Sequence, residues 1–322
     1  MNFEILAGNR VAIRSSSFTI LLDPKISDFI SFISHAHADH SPYQIISPPF
    51  CTKETCDILK ISNPFFESKP LKLNKTYKLM DDIRVKLISA GHILGSSQIY
   101  LEIGEKSILY SGDIKLESSL TCKPIDIENA DILIVEATYG LPQYKLPSME
   151  KVREDFISWI KKKLREGRRI EIGAYPIGKS QEAIKILNEE GIIPRVTETI
   201  RRYSEVYQKH GIKIEFVSGR EESDVLIKPI NHVKAKSSKK VSCILTGWVK
   251  FGVVKSFGFP LSDHCDFPQL LEYVKMVNPK EVYCVHGYEK ELAKAIRKKL
   301  GIKASALSNP KQMSLTQILK TS

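Results

Sequence analysis

Apolar residues in the first 140 positions come in short β-prone runs cut by turn residues. Residues 3–6, 10–14 and 18–22 are such runs, separated by Gly8-Asn9 and Ser15-Ser16-Ser17. Another run, 29–34, ends directly at His35. Residues 83–89, 98–103 and 107–111 read as further strands, punctuated by Asp81-Asp82 and Gly104-Glu105. Residues 132–135 read as a buried strand whose end carries Glu136. From residue 148 the period changes. Val152, Phe156, Trp159, Ile160 and Leu164 recur at helical spacing, which predicts a helix burying that stripe, with Ser148 as N-cap and Gly167 as stop. A strand at 169–172, a helix at 179–190, a short strand at 192–196 and a helix at 200–210 follow. This alternation predicts a small α/β layer on a parallel sheet. After a polar, basic linker at 234–240, β character returns at 242–246, then come a helix at 267–277, a strand at 281–285 and a helix at 289–300. The organisation is an outer domain, residues 1–140 and 246–322, split by an inserted domain, residues 141–245.

Composition narrows the class. A chain of 322 residues with 42% hydrophobic and 26% charged residues is globular, with room for one large domain or two. No stretch approaches the roughly 18 uncharged apolar residues of a membrane helix. The start, Met1-Asn2-Phe3-Glu4, lacks the basic-then-apolar opening of a secretory signal. Six cysteines without a C-x-x-C pair read as reduced thiols in the cytoplasm. The net charge of +11 is uneven. Residues 141–245 hold 22 Lys and Arg against 14 Asp and Glu, so the insertion carries most of the surplus and is expected to face a polyanion. A solvated lysine-rich surface is the plainer alternative.

The chemistry centres on Ser34-His35-Ala36-His37-Ala38-Asp39-His40, at the end of an apolar strand. In an extended segment residues two apart point the same way, so His35 and His37 can converge on one metal. If the chain then turns into a helix, Asp39 and His40 can serve a second. Imidazole nitrogen with carboxylate oxygen suits zinc. One cluster cannot close two sites alone, and three further residues stand where ligands are wanted. His92 in Gly91-His92-Ile93-Leu94-Gly95, Asp113 in Ser111-Gly112-Asp113 and His286 in Val285-His286-Gly287 each follow a predicted strand, beside a glycine that lets the backbone turn.

These motifs resemble the metallo-β-lactamase superfamily. The absence of any His between Asp113 and His210, with Glu136-Ala137-Thr138-Tyr139-Gly140, Ser262-Asp263-His264 and Val285-His286-Gly287, is similar to its β-CASP nuclease branch. The ligase-associated DNA exonucleases are most similar, on residues 91–97, 111–113, 139–142, 262–264 and 286–288; archaeal mRNA 3′-end processing factor-like proteins are also similar. The resemblance implies an αββα sandwich carrying an inserted α/β domain. It implies two zinc ions, one on His35, His37 and His92, the other on Asp39, His40 and His286, with Asp113 bridging. Asp23 would orient a ligand from behind. His264, its ring held by Glu136, would contact the scissile phosphate and protonate the leaving oxygen. Metal-activated hydroxide would be the nucleophile, with Asp39 among the catalytic residues. The branch often has Gly or Ala where this chain has Asp263, and Ser262 is expected near the substrate.

The leading expectation is therefore a zinc-dependent nuclease on single-stranded DNA or RNA, sharpest as a DNA exonuclease, with an RNA-processing nuclease as rival. An inactive RNA-binding scaffold and a small-molecule metallo-hydrolase are minor alternatives. A homodimer and repair or RNA-processing partners stay open. Residues 173–180 match the P-loop pattern G-x-x-x-x-G-K-S, but no apolar strand ending in Asp follows to hold magnesium, and the branch carries a similar Gly-(Lys/Arg)-x-Gln-Glu helix start. Lys179 and Ser180 are instead expected to hold a nucleic-acid phosphate at the helix N-terminus. Arg201, Arg202, Lys234, Lys236, Lys239 and Lys240 are candidates for lining a nucleic-acid channel. His210 and His232 are expected at the surface, and Cys51 and Cys56 in packing.

Overall fold

The computed structural model describes residues 2–8, 10–233, 240–254 and 256–307; Lys234, Lys236 and Lys239 lie outside the described residues. Its helices are α1 (Lys53–Ser62), α2 (Met149–Arg165), α3 (Lys179–Glu189), α4 (Glu198–Lys209), α5 (Phe267–Val277) and α6 (Glu289–Leu300). Two sheets face each other. One runs, in spatial order, Glu4–Gly8, Arg10–Arg14, Thr19–Leu22, Ile30–Phe32, Phe50–Cys51 and Lys69–Pro70. The other runs Lys303–Ala306, Glu281–Gly287, Ile132–Ala137, Lys106–Tyr110, Ser97–Ile103, Ile83–Ser89 and Thr76–Met80. Strand alternation sends one set of apolar side chains inward from each. Val11, Ile13, Ile20, Leu22 and Phe32 meet Val85, Leu87, Ile99, Leu101 and Ile108 in a shared core. Leu109, Leu133 and Val135, pointing the other way, are covered by Leu270, Val274, Leu292 and Ile296 of α5 and α6. With α1 packed beyond the first sheet, the layers follow the order helix, sheet, sheet, helix.

A third sheet, Arg195–Val196, Val225–Pro229, Arg169–Ala174, Lys240–Leu245 and Gly258–Phe259, is parallel throughout, as the strand–helix alternation predicts. Helices α2, α3 and α4 cover it through Phe156, Ile160, Ile184, Leu187 and Ile200. The same core continues into Ile58 and Leu59 of α1, so this layer is joined to the sandwich by apolar packing. Charge joins them too. Asp57 of α1 accepts hydrogen bonds from Lys53 (2.6 Å), from Lys209 of α4 (2.9 Å) and from His210 (3.0 Å). His210 is thus part of a contact between layers rather than a surface residue, whereas His232 is exposed. Among the described residues no helix is long and apolar enough to cross a membrane.

Strand direction positions the chemistry. Thr19–Leu22 and Ile30–Phe32 are parallel, as are Lys106–Tyr110, Ile132–Ala137 and Glu281–Gly287. Ile83–Ser89 runs the same way, being antiparallel to the strand that is itself antiparallel to Lys106–Tyr110. The carboxyl ends of these strands carry Asp23, His35, His92, Asp113, Glu136 and His286, and bring most of them to one rim.

Candidate metal centre

His35, His37, His92 and Asp113 each offer a ligand atom within 4.8 Å of the others. Asp113 also joins Glu136 and His264 in a second such group, and Asp23, His35 and His40 form a third. Hydrogen-bond polarity decides what these imidazoles present to one another. The carbonyl of Asp263 can only accept, so His92 Nδ1 donates to it at 2.8 Å and leaves the Nε2 lone pair facing inward, 3.8 Å from Asp113 Oδ2. Ser34 Oγ gives its proton to Asp23 Oδ2 at 2.6 Å and therefore accepts from His35 Nδ1 at 2.9 Å. His35 Nε2 is then an unprotonated, fully buried nitrogen without a hydrogen-bond partner, 3.4 Å from Asp113 Oδ2. His37 donates from Nε2 to the Ile177 carbonyl at 3.4 Å and turns Nδ1 toward His92 Nε2, 3.1 Å away.

Lone pairs converging on a carboxylate repel unless a cation lies between them, so this donor set fits a metal ion. Zinc suits its three imidazoles and one carboxylate. His40 shows the same demand for positive charge. Its Nδ1 is held by Asp23 at 2.7 Å and its Nε2 lies 3.4 Å from Asp113 Oδ1. Burial works to lower its pKa, but Asp113, Asp23 and Asp39 together lift it to about 9. Burial likewise pushes Asp113 up, to about 6, against the pull of His40.

The second half is less drawn together. Asp39 sits in the short turn Ala38–His40 with its side chain 75% exposed and Oδ2 3.7 Å from His40 Nε2. The His286 ring is 4.9 Å from that of His40, but its Nε2 is engaged with the Tyr110 hydroxyl at 3.1 Å. Neither belongs to a compact ligand group. Asp23, expected behind a ligand, stands behind two, His40 directly and His35 through Ser34. Ser34 and Tyr110 join this hydrogen-bond network, and motif reading did not single them out. Tyr110 is fully buried and donates to Asp23 Oδ2 at 2.8 Å, and a tyrosine ending an apolar strand was the available signal.

His264 stands beside His92, ring centroids 4.7 Å apart, with Nδ1 4.0 Å from the same Asp113 Oδ2 and 3.2 and 3.3 Å from the two Glu136 oxygens. Burial works against its charged form, yet Glu136 and Asp113 outweigh this and raise its pKa. Glu136, fully buried, also accepts from the Ile114 N–H at 2.8 Å. The Tyr139 ring meets His264 edge-on, centroids 6.1 Å apart, and is itself tilted against Trp248 at 4.6 Å.

The residues expected to hold substrate are committed elsewhere. Lys179 Nζ lies 2.7 Å from Asp263 Oδ2, buried, and over the Tyr175 ring. Ser180 is fully buried and donates to the Tyr175 carbonyl at 2.7 Å. Gln181 bonds Gly178 N, the Pro176 carbonyl and Ser204, and Glu182 accepts from Ser119, Leu120, Thr121 and Arg153. The stretch Gly178-Lys179-Ser180-Gln181-Glu182 is therefore a clamp between α3 and the metal centre. It leaves no N–H cradle or free lysine for a nucleotide. Ser262 caps its own turn, accepting from His264 N at 3.1 Å. Arg201 pairs with Glu198 and Glu205, whereas exposed Arg202 donates to the Ile61 carbonyl.

The chain is similar to several known proteins. Residues 255–307 match the family described as Zn-dependent metallo-hydrolase RNA specificity domain. A protein named probable DNA ligase from Opitutus terrae is 30% identical over 91% of this chain, which spans only 30% of that protein's length. A protein named probable RNase MJ4 from Methanocaldococcus jannaschii is 30% identical over 84% of this chain and 70% of its own. A crystal structure of a protein of unknown function from Enterococcus faecalis superposes with a TM-score of 0.67 at 14% identity, over 93% of this chain and 94% of the other, and so shares the fold. The chain belongs to the β-CASP branch of the metallo-β-lactamase superfamily.

Proposed function

We propose that this chain is a zinc-dependent nuclease that hydrolyses phosphodiester bonds of single-stranded nucleic acid, acting on DNA from an end. The observation that carries the reading is the convergence of inward-facing histidine lone pairs on Asp113, with the His264–Glu136 dyad directly beside them. His35, His37, His92 and Asp113 would hold one ion, and His40, Asp39 and His286 a second that shares Asp113. Bound zinc supplies Lewis acidity, lowering the pKa of water toward about 7 and offsetting phosphate charge.

The protein's own groups do the rest. Glu136 keeps the His264 ring oriented and charged, so that Nε2 carries a proton for the departing alkoxide. Asp23, Ser34 and the Asp263 carbonyl fix imidazole tautomers, sparing reorganisation when substrate arrives. Residues 141–245, with their surplus of positive charge, would face the polyanion. Free cysteines suit action in the cytoplasm. A second reading, an RNA-processing nuclease, is favoured by the match at 255–307 to a family described by RNA specificity.

The test incubates zinc-loaded protein with 5′-labelled DNA and RNA of one sequence, beside Asp39→Asn as a control for contaminating nuclease. Mononucleotides from DNA support the proposal, and preferential cutting of RNA moves the chain to the second reading. If neither polymer is cut by protein shown to hold two metals, the nuclease reading fails.

A further inference from the structure

Arg10 begins the second strand with φ +65°, in the left-handed region that side chains other than glycine enter at a cost. Of the five described non-glycine residues with positive φ, Asn74, Asn278, Asp23 and His286 are of types that enter this region readily, and Arg10 is not. Arg10 lines two hollows on either side of the histidine loop. One is shared with Lys25, His286 and Glu289, the other with Ala36, Ala38 and Ser41. Its Nε is buried and without a hydrogen-bond partner, and no described carboxylate lies within 4.0 Å of its guanidinium. Burial works to raise the Asp39 carboxyl, but His40, His37 and, less strongly, Arg10 lower it, so Arg10 and Asp39 feel one another beyond ion-pair distance. The positive φ, taken where the turn pairs Gly8 with Arg10, and the unmatched buried donor both cost stability.

We propose that Arg10 is a phosphate anchor, a guanidinium held in a strained conformation at the mouth of the metal centre to bind a phosphate oxygen of the nucleic-acid strand. The inference rests on the nuclease reading above and adds a subsite to it. A guanidinium forms paired, charge-assisted hydrogen bonds with phosphate, and His286 in the first hollow with Ala36 and Ala38, the neighbours of His37, in the second place them beside the metal centre. The phosphate can be an internal phosphodiester or a terminal monophosphate, since both present the same oxygens.

The experiment measures binding rather than turnover. Zinc-loaded Glu136→Gln protein, which holds strands without cutting them, is titrated with single-stranded DNA and RNA bearing a 5′-phosphate or a 5′-hydroxyl, across a salt series. Adding Arg10→Gly should weaken binding roughly ten-fold or more. It should also lower the slope of log affinity against log salt by about 0.7, the loss of one phosphate contact. The melting temperature should rise, because glycine relieves the φ strain, and zinc content should stay the same. Arg10→Gln should show the same loss of affinity without the rise in melting temperature, and Arg10→Lys should keep the salt slope. Loss confined to 5′-phosphorylated strands supports a terminal phosphate, and loss on all strands supports an internal one. Unchanged affinity and slope in Arg10→Gly and Arg10→Gln overturn the anchor while leaving the nuclease reading intact. Failure of the Arg10 protein itself to bind any strand overturns both.

Discussion

The Lys179–Asp263 pair joins α3 to the loop that carries His264, and breaking it from one side should be far more harmful than removing it entirely. At 2.7 Å the gross attraction is about 6 kcal/mol with an effective dielectric near 20. Taking both ions out of water offsets most of that, so the net contribution is small. A single substitution loses the attraction and keeps one desolvation cost. Lys179→Met leaves Asp263 charged and buried, partly compensated by Lys115, whose charge also lowers its pKa. Asp263→Leu leaves Lys179 with only the Tyr175 ring. Each should therefore cost about 3–5 kcal/mol, Lys179→Met toward the lower end, while the double variant should cost less than about 2 kcal/mol. The single variants should also loosen zinc about ten-fold, because a displaced Asp263 carbonyl no longer orients His92. Urea denaturation of all four proteins, with zinc titrated by a competing chelator, gives the complete cycle. If the two single costs simply add in the double variant, the clamp is not an ion pair in any energetic sense and the argument is wrong.

Three further outcomes follow from the geometry. Glu136→Gln should reduce kcat by roughly 10²- to 10⁴-fold with KM and zinc content little changed, since the carboxylate holds the His264 charge without belonging to the compact histidine set; an equal change in KM alone would count against the acid role. Gly178→Ala should destabilise by about 2–4 kcal/mol in urea, because φ is +84° and a Cβ would stand 2.6 Å from Ile93 Cγ2. Burial alone would raise Asp57, but hydrogen bonds from Lys53, Lys209 and His210 outweigh this and hold it at about 2. A depressed carboxyl stabilises the fold above its unfolded pKa of about 3.9, and that contribution disappears as pH falls through 3.9 toward 2. Asp57→Asn should accordingly cost about 1–2 kcal/mol at pH 6 and almost nothing near pH 2, and a cost that did not shrink with acid would show that the charge is not what joins α1 to α4.

Sequence reading succeeded where one residue type at one place has one strong use. Long periodic segments such as α5 and α6 emerged with the expected bounds, because their apolar stripes leave no other period. Elements such as Lys53–Ser62, Thr76–Met80, Lys69–Pro70 and Lys303–Ala306 were not legible, because their local patterns are mixed and neighbours in other layers hold them. The histidine-rich loop was legible as a ligand source by composition. Which nitrogen each ring turns inward was not, since that depends on Ser34 Oγ, the Asp23 carboxylate and two carbonyls distant in sequence.

The same limit explains Lys179 and Ser180. A helix N-terminus with a lysine reads locally as a phosphate site, but the nearest anion to Lys179 is Asp263, 84 positions away. Local chemistry names what a residue can bind, and only the fold says whether that capacity is already taken. By that criterion Lys179 is occupied, whereas His35 Nε2 and Arg10 Nε are not. One is a lone pair without a proton and the other a proton without an acceptor, and both stand at the metal centre. A bound cation would satisfy the first and, on the proposed reading, a bound phosphate the second, which ties both unmatched atoms to the substrate of the proposed nuclease.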